Sequence, residues 1–500
     1  PPSAGARVGD VPLRSFLGAG ADLSGDGALA PLLARFGLGF VEVDARGPVP
    51  DAPVPVAARL PHVADAGPEE ATRARCALVA RLAPRVAFFT LEPPPERAWP
   101  QEAWAAHLAA VGCAAADAGR PLVLVARTAE DVRRLGATGH PVLAAARVAE
   151  PADALALRDA GATLVALDRA GLAAAGPGLP KRVHEAVQHR AQPPPRRGPQ
   201  GAWVATFLLG VGMMVAGAVA WGVAATRVIL PYDEAFVGMT RDELAAVNER
   251  LLPFLAHDRI TLAGTMVSIG VLYAMLAWHA QRDGAHWAHR TVAVSAAVGF
   301  ASFFLYLAYG YFDPLHAFIA LLLLPFFLAG LRGPAGEPPR VPVPDLRNDR
   351  AWRRALRGQL AFVTLGVGLV LAGLYVSVVG STRVFVAEDL AFLQTSAEAV
   401  RAANPRLPAL IAHDRAGLGG ALVSDGLAVL LLALWGVRRG AAWVWWALLL
   451  AGAAGFAGAL GVHAAVGYTD ARHLAPALLA LAVWGAGLAW TRAYLRGPPA

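Results

Sequence analysis

The sequence has almost no cysteine. Two cysteines occur in 500 residues, Cys76 and Cys113, and both lie in the first two hundred. Their separation does not match the close spacing of a zinc-thiolate site. A pair of cytosolic thiols is more typical of such a chain than a disulfide. The composition therefore argues against a disulfide-stabilised fold and against a cysteine-based metal site.

Charged residues are also scarce, at 16% of the chain, and their net charge is +7. Most of the excess positive charge lies beside long apolar runs, where arginine orients membrane helices. There is no basic stripe interleaved with aromatic residues, so nucleic-acid binding is not expected. No signal-like segment precedes the first half, which leads us to expect that half in the cytoplasm.

Apolar runs of about 20 residues, long enough to cross a bilayer, fill the second half of the chain. We predict eight spans with the lipid bilayer as their partner, at roughly 202–225, 260–280, 291–311, 315–331, 360–380, 418–437, 442–464 and 474–491. Arginines cluster in alternate connections, which predicts that both termini are cytoplasmic. The sequence therefore indicates a multi-pass protein of the plasma (inner) membrane.

This membrane half repeats itself. His257-Asp258-Arg259 recurs as His413-Asp414-Arg415, 156 residues later (413 − 257), and similar matches extend over both copies. A self-match of this kind indicates tandem duplication. We predict two four-helix repeats, at 201–332 and 358–496. A Pro/Arg linker at 191–200 precedes the first repeat, and a basic cytoplasmic linker at 333–357 separates the two.

The repeated polar residues are the candidate site of this half. In one repeat they are His257, Asp258, Arg259, Asp313 and His316, and in the other His413, Asp414, Arg415, Asp470 and His473. We expect each set to converge within its own repeat, at the outer end of the spans. One interpretation is structural, because aspartates cap helix starts and Asp–Arg pairs anchor loops. The other is functional, because ionisable groups at membrane depth are costly; they could bind a divalent cation, relay protons or hold a polar head group.

The first half, residues 1–190, alternates apolar β-type runs with helical patterns, which predicts a parallel sheet covered by helices. We count about six strands, at 16–18, 40–43, 86–90, 122–126, 142–145 and 163–167. A closed (β/α)₈ barrel needs eight. The fold class is therefore α/β, a reduced TIM-barrel-like domain, joined to an all-α membrane domain.

Several segments of this half resemble the membrane-associated dihydroorotate dehydrogenases. Arg35-Phe-Gly-Leu-Gly-Phe-Val-Glu-Val43 looks like their second strand, and Phe16-Leu-Gly-Ala-Gly-Ala-Asp22 like their first. Asp159-Ala-Gly-Ala-Thr-Leu-Val165, followed by Gly176-Pro-Gly-Leu-Pro-Lys-Arg182, is similar to their last strand and helix. The resemblance implies a barrel that binds FMN and passes electrons to quinone in pyrimidine biosynthesis.

The residues that such chemistry needs are missing. The first asparagine of the chain is Asn248 and its one lysine is Lys181, whereas the family uses several asparagines and flavin-binding lysines. The lysine expected after Asp22 is Leu23. Two lost charged hydrogen bonds, at about 1.5–3 kcal/mol each, would weaken flavin binding by roughly 10²- to 10⁴-fold. We therefore expect an inactive domain without cofactor, with Arg127 and Arg147 as candidates to hold an anion.

Two functions follow from the sequence. The first is binding, sensing or transport by the membrane half, whose ligand the sequence does not identify; a bound divalent metal and a homodimer are both compatible with it. The second is a membrane-bound, FMN-dependent dihydroorotate dehydrogenase.

Overall fold

The computed structural model describes residues 5–24, 29–62, 66–95, 98–192, 200–306, 310–332 and 343–498. The chain forms two compact units. One contains residues 1–193 with 341–348, and the other residues 194–340 with 349–499.

The first unit is a closed βα barrel. Within the described residues, seven parallel strands pair in chain order, and the last pairs with the first to close the barrel. These strands are β3 (Leu17–Ala19), β4 (Phe40–Asp44), β5 (Val56–Leu60), β6 (Phe88–Leu91), β7 (Leu122–Ala126), β8 (Val142–Ala144) and β9 (Leu164–Leu167). A hairpin of β1 (Ala6–Val8) and β2 (Val11–Leu13) precedes them.

Helices cover the barrel between the strands. They are α1 (Ala21–Ser24), α2 (Ala30–Arg35), α3 (Pro68–Leu82), α4 (Gln101–Asp117), α5 (Ala129–Gly136), α6 (Pro151–Asp159), α7 (Arg169–Ala175) and α8 (Leu179–Ala191). The predicted βα alternation is therefore confirmed.

The predicted count of about six strands is one short of the barrel's seven, because β5 was missed, and the β1–β2 hairpin was not predicted either. Its sequence, Val-Ala-Ala-Arg-Leu, contains two alanines and an arginine and has weak β propensity. Burial stabilises the strand instead, because Ala57 packs with Phe40 and Phe88 in the interior. The two phenylalanine rings meet edge to face at 5.6 Å. A Cβ on Gly18 would overlap the Phe40 ring, so this position admits only glycine.

Part of the predicted linker at 333–357 belongs to the barrel unit. Residues 343–348 lie against α6 and α8, where Arg182 donates to the carbonyl of Asp345 at 2.6 Å and to Oδ1 of Asn348 at 2.5 Å. The Asn348 amide donates to Oε2 of Glu150 at 3.0 Å. Residues 350–357 begin a long helix, and 333–342 fall outside the described residues. The described part of this segment is therefore not a free linker.

The second unit is helical. Among the described residues, six helices are long and apolar enough to cross a membrane: Gly201–Thr226, Leu251–Gln281, Arg350–Thr382, Leu407–Gly436, Ala442–Val466 and Ala471–Leu495. In chain order the unit contains α9 (Gln200–Thr226), α10 (Pro231–Val237), α11 (Arg241–Val247), α12 (Leu251–Leu276), α13 (His286–Tyr306), α14 (Pro314–Gly330), α15 (Arg350–Thr382), α16 (Ala387–Leu393), α17 (Ala397–Ala403), α18 (Leu407–Gly436), α19 (Ala442–Val466) and α20 (Ala471–Leu495). A π-helical turn, Ala277–Gln281, extends α12.

The long helices pack across the two halves of this unit. Helix α19 lies against α12, and α13 lies against α18. Glycines allow the close approach: a Cβ on Gly264 would come within 3.0 Å of the Gly458 Cα, and one on Gly420 would overlap the Ser302 side chain. The third long helix of each half therefore packs on the second long helix of the other half.

The short helices make matching contacts in both halves. Asn248 donates to the Leu393 carbonyl at 2.8 Å, and Asn404, 156 residues later (404 − 248), donates to the Val237 carbonyl at 2.7 Å. Each asparagine ends a short helix of its own half and bonds a carbonyl of the other. These contacts hold the region next to the two His-Asp-Arg triplets.

Candidate functional site

The two His-Asp-Arg triplets lie inside helices, not in front of them. Helix α12 begins at Leu251 and α18 at Leu407, six residues before each histidine. His257 and Asp258 are 5% and 4% exposed, and His413 and Asp414 are 4% and 5% exposed. The predicted spans begin at about 260 and 418, just after each triplet, whereas the helices begin earlier because they extend further toward their N-termini than the apolar runs do.

The ion pairs of the triplets cross between the halves. Asp258 Oδ2 accepts from Arg415 Nε at 3.2 Å, and Asp414 Oδ2 accepts from Arg259 Nε at 2.7 Å. The expectation that each set converges within its own repeat was therefore wrong. The ion pairs cross because α12 packs beside α18. The aspartate of each triplet therefore lies next to the arginine of the other triplet.

Each arginine also binds a second aspartate and a backbone carbonyl. Arg259 Nη1 donates to Asp233 Oδ2 at 2.8 Å and to the Val228 carbonyl at 2.7 Å. Arg415 repeats this with Asp389, at 2.6 Å, and with the carbonyl of Val384, at 2.6 Å.

Both of these valines adopt a left-handed backbone. Their φ angles are 67° for Val228 and 69° for Val384. This conformation costs a β-branched residue about 1–3 kcal/mol. The two arginines therefore hold strained turns in place as well as balancing charge.

The network contains more negative than positive charge. Four buried aspartates, at positions 233, 258, 389 and 414, face the two guanidinium groups of Arg259 and Arg415. Isolated charge is strongly disfavoured in a buried environment. Two further positive charges, from protonated histidines or from a divalent cation, would neutralise the network.

Two histidine rings face each other beside Asp258. Nε2 of His257 lies 3.0 Å from Nε2 of His463, while Nδ1 of His257 lies 2.8 Å from Asp258 Oδ1. Nδ1 of His463 bonds the carbonyl of Ala459. When both Nδ1 atoms carry protons, the two Nε2 lone pairs point at each other. That arrangement is favourable only when a proton or a metal ion lies between them.

A third histidine completes the cluster. Ring nitrogens of His257, His463 and His473 all lie within 4.8 Å of one another. The hydroxyl of Tyr468 lies 3.4 Å from Nδ1 of His473 and donates to Asp389 Oδ1 at 2.9 Å. Burial, followed by the charge of Asp389, raises the pKa of the Tyr468 hydroxyl, which therefore remains a proton donor.

The corresponding cluster in the other half is smaller. The His413 ring is 4.9 Å from the Tyr311 ring and 5.8 Å from the His316 ring. The positions that match His463 by sequence are Tyr306 and Leu307. Among the described residues, the group of three histidines near His257 is the one that has metal-site geometry.

Asp313 and Asp470 have a structural role. Oδ1 of Asp313 accepts from the His316 amide at 2.9 Å, and Oδ1 of Asp470 accepts from the His473 amide at 2.9 Å. They are the N-caps of α14 and α20. By fixing the first turn of each helix, they place His316 and His473.

His463 was not among the predicted site residues. The first half of the helical unit has no histidine at the matching positions, so comparing the two halves could not reveal it. The available signal was a histidine within an otherwise apolar run, which by itself suggests function at membrane depth. Asp233 and Asp389 recur in the sequence too, and only their contacts identify them as the second partners of the arginines.

At the barrel mouth, polar side chains pair with one another. Glu42 is fully buried, accepts from Thr90 at 2.6 Å and bonds Arg59. Arg127 makes two bonds to Glu92, at 2.6 and 2.8 Å, and this pairing lowers the pKa of the Glu92 carboxyl. The guanidinium predicted to hold an anion is therefore engaged by a carboxylate.

Arg147, the other anion candidate, is exposed.

Searches of protein-family models and of curated protein sequences found no match to this chain.

Proposed function

We propose that this chain is a multi-pass membrane protein that binds one divalent transition-metal ion through His257, His463 and His473. Transport and sensing are two uses of such a site in a membrane. The observation that carries the proposal is the 3.0 Å approach of two Nε2 atoms whose Nδ1 partners are both engaged.

The distance between the His257 and His463 rings suits zinc. Zn–N bonds of about 2.0–2.1 Å in a tetrahedral site separate two ligand nitrogens by roughly 3.3 Å. The observed 3.0 Å requires a shift of a few tenths of an ångström. Asp258 at Nδ1 of His257 supplies the carboxylate–histidine arrangement that orients metal ligands. Three histidines leave a fourth position for water or a ligand.

The charge of the surroundings favours a dication. Four buried aspartates against two arginines leave two negative charges uncompensated. A divalent ion would supply both compensating charges. Proton relay by the His–Asp pairs is the second candidate, supported by the presence of a pair in each half.

We further propose that the helical unit is a tandem duplication with eight spans, α13 and α14 being the two beyond the six long apolar helices. The matching contacts of Asn248 and Asn404, and of Arg259 and Arg415, support the duplication. The arginine distribution favours cytoplasmic termini and the plasma membrane.

The βα unit is proposed to lack flavin chemistry. Its mouth is occupied by the bonds of Glu42 with Arg59 and Thr90, and the asparagines and lysines of the resembled dehydrogenases are missing. The visible spectrum of the purified protein tests this. A stoichiometric flavin band with dihydroorotate turnover would support the dehydrogenase alternative instead.

Metal binding is tested by titrating Co²⁺ and Zn²⁺ into purified chelator-treated protein. We expect one ion per chain and a Co²⁺ d–d spectrum of a nitrogen-rich, four- or five-coordinate site. His463→Leu introduces the residue found at the matching position of the other half, Leu307. It should lower the affinity for the metal at least tenfold. The matched control, His316→Leu in the other half, should bind as the parent does.

Equal binding by parent and His463→Leu protein would rule out this site. Two equivalent ions per chain would show that both halves bind metal, which would contradict the proposal of one ion per chain. Failure of any metal to bind, with intact folding, would leave proton relay as the favoured function.

A further inference from the structure

The geometry points to a second ion site in the helical unit: we propose that Asp425 is a reversible proton-binding group in its interior. Asp425 lies on α18 and is 6% exposed. It is 11 residues beyond Asp414 (425 − 414), roughly 17 Å along the helix axis at about 1.5 Å per residue. It is therefore distinct from the His-Asp-Arg network.

The surroundings of Asp425 differ from those of the other buried aspartates. Asp233, Asp258, Asp389 and Asp414 each bond an arginine. Among the described contacts, Asp425 has one side-chain partner, Ser268 of α12, whose Oγ lies 3.0 and 3.1 Å from the two carboxylate oxygens. A serine hydroxyl can donate or accept, so this bond is kept whether the carboxyl is charged or neutral.

No positive group on the neighbouring helices balances this carboxylate within the described residues. Helices α12, α13 and α15 pack against α18, and Tyr273 of α12 is the titratable group that interacts with Asp425. The other charged or ionisable groups of α12, α13, α15 and α19, with Arg383 just after α15, lie nearer the helix ends than Asp425 does or on the exposed surface. They are His257, Asp258, Arg259, His286, His289, Arg290, Arg350, Arg353, Arg354, Arg357, Tyr375, Arg383 and His463.

One carboxylate and one hydroxyl are too few for a metal cation. Calcium and magnesium sites use six or more oxygen ligands, and transition metals prefer nitrogen or sulfur. A proton needs one oxygen only. An isolated carboxylate at membrane depth is expensive, whereas its protonated form hydrogen-bonds to Ser268 at little cost. The chemistry therefore selects a proton as the ligand.

A cavity next to this region reaches the second histidine cluster. The Tyr273 hydroxyl lies 2.7 Å from Ser295 Oγ and 3.4 Å from Ser424 Oγ. Tyr273, Ser424 and His316 line one cavity of about 100 Å³, whose other walls are mainly apolar. The hydroxyls of Tyr273 and Ser424 therefore share this cavity with His316.

The duplication makes the site asymmetric. Position 269, which corresponds to 425 in the first half, is Ile269, whereas Ser268 corresponds to Ser424. The hydroxyl is thus present in both halves and the carboxyl in one.

Infrared spectroscopy of the metal-free full-length protein tests the proposal independently of metal binding. At pH 6, about two units above the ordinary aspartate pKa of about 3.9, exposed aspartates are ionised. We expect a protonated-carboxyl C=O band that disappears in Asp425→Asn and shifts in Asp425→Glu. Asp242→Asn, an exposed aspartate of the same unit, is the matched control and should keep the band.

A band that persists in Asp425→Asn would overturn the proposal, and so would its absence from the parent protein at pH 6. Because Asp425→Glu keeps the acid, its band shift remains readable even where Asp425→Asn does not fold. Zinc binding by the parent protein is measured separately, so that failure of the metal proposal does not affect this result.

Discussion

Single residues in this protein take roles that their burial and partners decide. The same residue type, aspartate, is a helix cap at 313 and 470, an ion-pair partner at 258 and 414, and bonded to a serine at 425. Removing one partner of a buried ion pair costs about 3–5 kcal/mol, whereas exposed pairs contribute about 0–1. The arginine at 415 therefore matters more to stability than most of the 44 basic residues.

His107 in the βα unit is predicted to make stability depend on pH. Its Nε2 lies 2.7 Å from Arg75 Nη1 and its Nδ1 lies 2.6 Å from Thr72 Oγ1, and the residue is 1% exposed. Burial, helped by the charge of Arg75, lowers the pKa of His107 to about 4. The unfolded chain, with a pKa of about 6.5, binds the proton first.

Stability from this histidine is therefore complete above pH 6.5 and lost as the pH falls toward 4, by up to about 1.4 kcal/mol per pH unit. Calorimetry of the full chain between pH 7 and 4.5 should show the βα transition falling accordingly. His107→Gln should flatten this dependence, and exposed His62→Gln should not. Identical pH profiles for the parent and His107→Gln proteins would refute the assignment.

At the scale of elements, helix crossings place the histidines. Helix α19 carries His463 and lies against α12, which carries His257, through the contact of Gly458 with Gly264. Small residues four or so apart allow such close approach in membranes. The proposed metal site thus depends on a close crossing of α12 and α19 that a residue larger than glycine at 264 or 458 would prevent.

Gly264→Val is predicted to push α19 away from α12. The added methyl groups would meet the Gly458 backbone, and overpacking of this kind costs about 1–3 kcal/mol. Separation of the two rings should weaken Zn²⁺ binding about tenfold or more. Gly485→Val is the control, because open space surrounds that glycine and binding should be unchanged. Equal loss in both variants would indicate general disruption of the helices.

At the scale of the molecule, the chain leaves the βα unit and returns to it. Residues 343–348, which follow the first half of the helical unit, pack into the βα unit before α15 begins. Arg182 makes most of the side-chain bonds that hold them, at distances of 2.5 to 3.3 Å. Deleting the first 195 residues would therefore also leave this segment without its partner.

Arg182→Ala is predicted to destabilise the βα unit by roughly 2 kcal/mol, since bonds from a charged group contribute about 1.5–3 kcal/mol. Thermal unfolding of the full chain measures the loss, and limited proteolysis should show faster cleavage near 343–348. The neighbouring Lys181→Ala is the control, because the Lys181 side chain is 76% exposed. An unchanged cleavage rate in Arg182→Ala would show that the segment is held by other contacts.

The sequence determined those features that local pattern encodes. Alternating apolar runs predicted the βα unit, and the length of the later apolar runs predicted the membrane-type helices. Recurrence of His257-Asp258-Arg259 indicated the His-Asp-Arg network. Strand β5 was not predicted because its alanines have low β propensity and are held in the strand by closure of the barrel.

Only the tertiary structure decided which residues meet. Packing of α19 on α12 brings His463 and His473 to His257, and the adjacent placement of α12 and α18 exchanges the arginines between the two triplets. Sequence spacing describes neighbours along one helix, whereas these contacts join residues some 155 to 216 positions apart (473 − 257 for the longest). Helix packing therefore determines the site, because the partners of a buried charge are chosen by the helices that surround it.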